Sequence, residues 1–205
     1  MGKKNNISIQ FLEGFFDRMS DVIRYSGTKV LNKENLAEHS YYVSVLADGI
    51  AEDIEQKFDI SIDRYKVLKY ALYHDIEEIF TGDLVTPVKY KSQDLRIKFE
   101  EVWNQILKEE LQSHFSENAH IAEMIIKAHN EYDEKKDEVL ENQIVKFADI
   151  LQALSYTMSE LHLGNTYLKD ISHNLLVSLE KRYKDNKYFS WYVVEILDFV
   201  KGNLK

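Results

Sequence analysis

The chain has no cysteine, one proline and seven glycines in 205 residues. Without thiols there is no disulfide, no thiolate zinc site and no cysteine nucleophile, which suits a reducing cytoplasm. So few breakers leave long stretches with nothing to interrupt a helix, and the chain reads as mostly helical. No apolar run approaches the roughly 20 residues that span a bilayer, so no membrane partner is expected. The start, Met1-Gly2-Lys3-Lys4-Asn5-Asn6, has basic residues but no apolar stretch behind them, and position 6 lacks the Ser or Thr of a myristoylation signal. Cations are outnumbered, 26 Lys and Arg against 35 Asp and Glu, for a formal charge of -9. A nucleic-acid polymer is therefore a poor partner. A small phosphorylated metabolite stays open, because a metal ion beside a basic side chain can reverse the local field. HExxH, P-loop, GxGxxG and GxSxG motifs are also missing, which sets aside zincins, common NTPases, dinucleotide enzymes and serine hydrolases.

What is present is amphipathic. A chain of this size buries roughly 70% of its unfolded surface and needs no staple to fold. Phe11, Leu12, Phe15, Phe16, Met19, Val22 and Ile23 follow helical spacing, and a looser stretch from Tyr25 to Lys33 comes next. Asn35 with Glu38 three residues on predicts a capping box, opening a helix with Leu36, His39, Val43, Leu46 and Ile50 on one face. Asp63 caps a third expected helix that runs to Thr81, with Gly82 as its left-handed end. Asp83 to Lys91 reads as a loop, and Ser92 starts a helix bearing Leu95, Phe99, Val102, Trp103 and Ile106. A short helix through Ile121, Met124, Ile125 and Ala128 leads into Asn130 to Glu138, read as a charged, solvated connection. A long helix carrying Ile144, Phe147, Leu151, Leu154 and Met158 breaks near Gly164, and two more follow, around 168–183 and 189–200.

Four residues carry the chemistry. His74 and Asp75 adjoin in Tyr73-His74-Asp75-Ile76-Glu77-Glu78, His39 lies in Ala37-Glu38-His39-Ser40, and Asp149 in Lys146-Phe147-Ala148-Asp149. Two imidazoles and two carboxylates suit a divalent transition metal. Taken singly, each has a plainer reading. His39 on an apolar face would be a satisfied core histidine, and a His-Asp pair is common. Asp149 is costly to bury unpaired, yet its helix has a polar side with Lys146 and Gln152 where it would be solvated. Glu78, four residues after His74, shares its helical face, whereas Glu77 points about 100 degrees away. His114, His120, His162 and His173 show no ligand spacing, and His129 precedes Asp149 by twenty residues.

In combination these residues resemble a known family. The pattern H…HD…D is that of the HD-domain metal-dependent phosphohydrolases. The flanking Leu72-Tyr73-His74-Asp75, Glu78, Thr81-Gly82-Asp83-Leu84 and Thr86-Pro87-Val88-Lys89-Tyr90 are similar to the YfbR-like 5'-deoxynucleotidases. So are Glu34-Asn35, Glu38-His39-Ser40, Val145-Lys146, Ala148-Asp149 and Gly164-Asn165. The resemblance runs from about Arg24 to about Asn165.

It implies an all-α fold, a single HD-domain helical bundle over 1–205, with a metal-site core at about 24–165 and C-terminal helices at 166–205. It also implies one divalent ion on His39, His74, Asp75 and Asp149, and nitrogen-containing ligation favours Mn2+, Co2+, Fe2+ or Zn2+ over Mg2+. The expected reaction removes the 5'-phosphate from a deoxynucleoside monophosphate, in a cytoplasmic homodimer. Arg24 would grip the phosphate, and Tyr25 stands where the family has tryptophan, keeping an aromatic face but not the indole N–H. Glu78 would handle the attacking water or the leaving oxygen. Asp83 would meet the sugar 3'-hydroxyl, with Thr86, Pro87 and Lys89 in the loop over the substrate. Another phosphoester (a nucleoside triphosphate or an alarmone) and a non-catalytic metal- and nucleotide-binding sensor remain as alternatives.

Overall fold

The structure is a computed structural model that describes residues 14–83, 92–135 and 138–203. Thr86, Pro87 and Lys89 therefore lie outside the described residues. Among the described residues the chain forms eight α-helices and no strand. They are α1 (Leu36–Phe58), α2 (Arg64–Tyr73), α3 (Glu78–Thr81), α4 (Gln93–His114), α5 (Ala119–Lys135), α6 (Leu140–His162), α7 (Lys169–Tyr183) and α8 (Ser190–Asn203).

Local capping sets several of these starts. The Asn35 side chain accepts from the Glu38 N–H while the Glu38 carboxylate accepts from the Asn35 N–H, so both halves of the expected box form. Asp63 accepts from Lys66 N–H and Ser92 from Leu95 N–H, as their positions in the sequence predict. The long helix α6 ends at His162, and Gly164 turns the chain at φ +90°, a conformation that glycine adopts without steric cost.

Three expectations need correction. The N-terminal apolar pattern predicts an α-helix, but its described part, from Gly14 on, forms a 3-10 turn at Phe16–Ser20. Ile23 instead forms an isolated antiparallel bridge with Asn35, and Arg24 N–H donates to Glu34 O at 2.9 Å. Phe15 and Met19 are buried all the same. Their spacing reports burial in a bent segment, which helical periodicity alone does not distinguish.

The helix expected to run through to Thr81 stops at Tyr73 and resumes at Glu78, joined by i→i+3 bonds such as Ile76 N–H to Tyr73 O. Gly82 does take a positive φ of 70°, but with ψ 167° it is extended rather than left-handed helical. Finally, Asn130 to Lys135 is not a solvated connection but the last turns of α5. Tyr132 is buried there, and Asn142 Nδ2 donates to the carbonyls of Glu131 and Tyr132 at 2.8 and 2.9 Å. The segment's charge hid one aromatic anchor.

Helix α1 packs against both α2 and α6, and α6 packs against α7. Phe147 sits at the middle of the larger core, 4.9 Å from the Phe189 ring and 5.0 Å from Tyr183. A second cluster gathers Phe15, Leu36, Ile76, Leu111, Phe115 and Ile125. Tyr73 packs against both clusters, so the turn that follows it is held from two sides. That turn carries His74 and Asp75.

Candidate metal centre

His39 enters from α1, where the helix stripe that buries Leu36 and Val43 also buries His39 completely. Asp149 comes from α6, one residue beyond the buried Ala148. His74 and Asp75 come from the break between α2 and α3. Adjacent side chains diverge by about 100 degrees on a regular α-helix. Here the i→i+3 turns replace that geometry, and His74 Nε2 and Asp75 Oδ2 converge to 3.1 Å.

The four groups meet at one place. His39 Nε2 lies 3.2 Å from His74 Nε2, 3.6 Å from Asp75 Oδ2 and 3.4 Å from Asp149 Oδ1. Bonds of about 2.1 Å from one ion to nitrogen and oxygen donors separate those donors by about 3.0 to 3.4 Å. His39, His74 and Asp149 offer ligand atoms all within 4.8 Å of one another. The spacing of these three groups therefore fits a single ion, and Asp75 Oδ2 lies beside both histidine nitrogens.

The hydrogen bonds behind the ligands point the same way. His74 Nδ1 lies 2.9 Å from the Ala71 carbonyl oxygen, which can only accept, so Nδ1 carries the proton and Nε2 keeps its lone pair. His39 Nδ1 faces Gln152 Oε1 at 2.7 Å, with the same consequence. Asp149 gives Oδ2 to Lys146 Nζ at 2.7 Å and leaves Oδ1 toward His39. With both rings neutral, two nitrogen lone pairs and two carboxylates face each other and repel unless a metal ion, or a proton on His74, lies among them.

The electrostatics agree. Burial would raise the Asp149 carboxyl, but Lys146, with help from His39 and His74, holds it well below the usual carboxylate range. Burial opposes ionisation at Asp75 too, and His74 and His39 outweigh it. For His74, burial works against the charged ring, yet Asp75, Asp149 and the Ala71 carbonyl raise its pKa to about 9.

A pH dependence follows for metal-free protein. Folded His74 holds its proton between its ordinary pKa of about 6.5 and about 9, so that contribution is complete below 6.5 and is lost as pH rises through 9. The two depressed carboxylates contribute above about pH 4 and lose their contribution in acid. The melting temperature of metal-free protein is expected to fall from pH 6.5 to 9, while metal affinity rises as the proton on His74 leaves. Melting curves with and without Mn2+ test this; a flat metal-free profile across that window contradicts it.

Around the ligands stands a second set of side chains. Arg24 Nη1 lies 3.0 Å from Glu34 Oε2, 2.6 Å from His39 Nδ1 and 3.3 Å from Gln152 Oε1. Its buried Nε donor has no hydrogen-bond partner among the described residues. Tyr25 takes φ +55°, uncommon outside glycine and a conformation that collects at functional sites. Its N–H donates to Asp83 Oδ2 at 2.8 Å, and its ring stacks on Tyr156 at 5.1 Å. The Arg24–Tyr25 pair and the Asp83 turn are thus brought together. Glu78 is buried at the start of α3, directly after the ligand turn. Glu77 faces the buried His129, 3.6 Å from its Nδ1, and His129 Nδ1 also lies 3.2 Å from Tyr73 O.

The sequence reading missed the polar face of α6. Gln152 is buried rather than on an open side, Tyr156 OH donates to Asn32 O at 2.5 Å, and buried Glu160 accepts from Leu31 N–H and Asn32 N–H at 2.7 and 2.8 Å. Asp149, Gln152, Tyr156 and Glu160 are spaced by three, four and four residues, which places them on one helix face. That spacing was the available signal.

Comparisons with known proteins converge. The family model described as 5'-deoxynucleotidase YfbR-like matches residues 11–198. A 5'-deoxynucleotidase of Pasteurella multocida is 32% identical, covering 84% of this chain and 86% of that protein. The 5'-deoxynucleotidase YfbR of Escherichia coli is 30% identical, covering 84% of each. The crystal structure of an HD-domain phosphohydrolase from Listeria innocua superposes with a TM-score of 0.76 at 25% identity, covering 95% of this chain and 90% of that one. A cyanophage S-2L HD phosphohydrolase, solved with dA and one catalytic Zn2+, shares the fold at a TM-score of 0.60 and 20% identity, over 90% of this chain and 95% of that one.

Proposed function

The chain belongs to the YfbR-like 5'-deoxynucleotidase family, and from that footing we infer that it hydrolyses deoxynucleoside 5'-monophosphates on the ligand cluster described above. It is a metal-dependent phosphomonoesterase. The observation that carries the reading is the meeting of His39, His74 and Asp149, with Asp75 beside the two histidines, next to a half-buried arginine. His39, His74, Asp75 and Asp149 hold one divalent ion, and their mixed nitrogen and oxygen donors select Mn2+, Co2+, Fe2+ or Zn2+ over Mg2+. Bound there, such an ion supplies Lewis acidity to a phosphate oxygen.

The chain's own groups do the rest. Arg24 binds the phosphate through the donors that Glu34 and Gln152 leave available, and its charge offsets the charge spread over the transferring group. Glu78 takes a proton from the attacking water, or passes one to the sugar O5' as the phosphorus–oxygen bond breaks. Deoxynucleoside and inorganic phosphate are the products. Asp83 accepts from the 3'-hydroxyl of the sugar, and the Tyr25 ring flanks that sugar. The same reading assigns Thr86, Pro87 and Lys89 to substrate binding. A cytoplasmic homodimer is part of the same proposal. Among the described residues no helix is long and apolar enough to cross a membrane. Phe189, just before α8, is fully buried in the core, while Val194 and Phe199 on α8 are exposed.

The experiment is phosphate release from dAMP, dTMP, dCMP and dGMP against their ribonucleotide counterparts. Metal-stripped protein is reconstituted with Mn2+, Co2+, Zn2+ or Mg2+ in turn. Metal-dependent turnover confined to the deoxy series is expected. Turnover of both series would remove the sugar role given to Asp83. No turnover with any ion would turn the assignment toward another phosphoester or a sensor.

A further inference from the structure

Gln152 is 5% exposed on α6, three residues beyond Asp149. A buried primary amide needs partners for both its oxygen and its nitrogen. Here each end meets a different part of the site. Oε1 lies 2.7 Å from His39 Nδ1 and 3.3 Å from Arg24 Nη1. Nε2 donates to Glu34 Oε1, and the other Glu34 oxygen accepts from Arg24 at 3.0 Å.

The partners fix which way the amide points. Glu34 is a carboxylate and can only accept, so the nitrogen faces Glu34 and the oxygen faces His39. The ring of His39 then carries its proton on Nδ1 and presents an unprotonated Nε2 to His74, Asp75 and Asp149. Arg24 Nη1 also approaches His39 Nδ1 at 2.6 Å, but a guanidinium only donates. Its acceptors are Glu34 and Gln152. Without the Gln152 oxygen, Arg24 would be left as the partner of Nδ1 among the described residues, and a donor there favours the opposite tautomer with its proton on Nε2.

We propose that Gln152 is a positioning residue that serves two subsites with one side chain: its oxygen orients His39 for the metal, and its nitrogen holds Glu34 and thereby Arg24 for the phosphate. The inference rests on the metal and phosphate roles assigned above. It adds a coupling between them, because disturbing one end of a buried amide disturbs the other. Residues behind metal-bound histidines typically change metal affinity 10- to 100-fold when removed.

Two variants separate the ends. Gln152→Leu removes both interactions at similar volume. Gln152→Glu keeps an acceptor for His39 but sets a second carboxylate against Glu34. The dissociation constant for Zn2+ is read by chelator competition, and that for inorganic phosphate by calorimetry on the metal-loaded protein. The leucine variant is expected to weaken Zn2+ binding by about 10- to 100-fold. The glutamate variant is expected to keep wild-type Zn2+ affinity and to weaken phosphate binding by about tenfold, the loss of one charge-assisted hydrogen bond.

A purely architectural role would lower the melting temperature of both variants and leave both constants unchanged, and that result overturns the proposal. Should the leucine variant fail to fold, nitrogen-resolved NMR of the zinc-loaded wild type decides. His39 must show a protonated Nδ1 and a ligated Nε2; an unprotonated Nδ1 overturns the proposal. None of these readouts uses deoxynucleotide turnover. A failure of the substrate assignment is therefore distinguishable from a failure of this one.

Discussion

Asp149→Ala is expected to lose the bound metal and with it about a thousandfold or more of turnover. The magnitude follows from the several kcal/mol that a metal's charge contributes to a phosphoryl-transfer barrier, at about 1.4 kcal/mol for each factor of ten. Asp149 is singled out because it is the ligand that α6 contributes, and its two oxygens have separate tasks. Oδ2 is tied to Lys146 at 2.7 Å, which aims Oδ1 at His39. Alanine removes a charge as well as a donor, leaving Asp75 as the one carboxylate among the three remaining proposed ligands. Asp149→Asn should do nearly as badly, since a neutral amide is a weak ligand for a divalent ion.

Metal content by mass spectrometry and phosphate release are measured on the same preparations. A rise in melting temperature on adding Mn2+ should also vanish in the variants, because a ligand stabilises only a fold that binds it. An alanine variant that is active and fully loaded would remove Asp149 from the ligand set.

The second large effect is expected at Arg24. Arg24→Ala should lower kcat/KM for a deoxynucleoside monophosphate by about a hundredfold to ten-thousandfold, from losing two charged hydrogen bonds of roughly 1.5 to 3 kcal/mol each. The change is expected to fall on binding and turnover together, since in the proposed role the arginine faces the phosphate in both the bound substrate and the transition state. It should also destabilise the fold by about 3 to 5 kcal/mol, because buried Glu34 loses the cation 3.0 Å away.

Those two effects must be separated. Arg24→Lys keeps the charge and so much of the stability, but it replaces a planar fork with a single ammonium. It should show a smaller shift in urea midpoint and still lose at least about tenfold in kcat/KM, one charged contact by the same arithmetic. Wild-type kinetics in the lysine variant would show that Arg24 acts only as a counter-charge to Glu34.

These expectations rest on features that were unequally visible in the chain. The capping residues Asn35, Asp63 and Ser92 all act as caps, because a cap depends on atoms only a few residues apart. The burial of His39 beside Leu36 and Val43 was equally legible from helical spacing. Gln152 and Glu160 were not, since a polar residue on a helix reads as solvated until the segment that covers it is placed. That cover is the segment from Arg24 to Glu34, whose N–H groups and side chains meet α6 across more than a hundred residues of sequence. The error at Asn130 to Lys135 has the same origin: charge density hid Tyr132, which packs edge-on to the His74 ring at 6.1 Å.

By itself the sequence determined the helical class, most helix starts and the identities of four ligand-type residues. Each of these follows from local periodicity, capping chemistry or residue type, and needs no knowledge of distant neighbours. Only the tertiary structure decided that the four converge to within 3.1 to 3.6 Å along the measured pairs, that the helix breaks at Tyr73, and that Gln152 joins His39 to Arg24. Convergence is a property of how α1, the turn after α2 and α6 pack around Tyr73, Ala71 and Phe147. Sequence spacing sets the face on which a residue lies on its own helix, but not which other face it will meet.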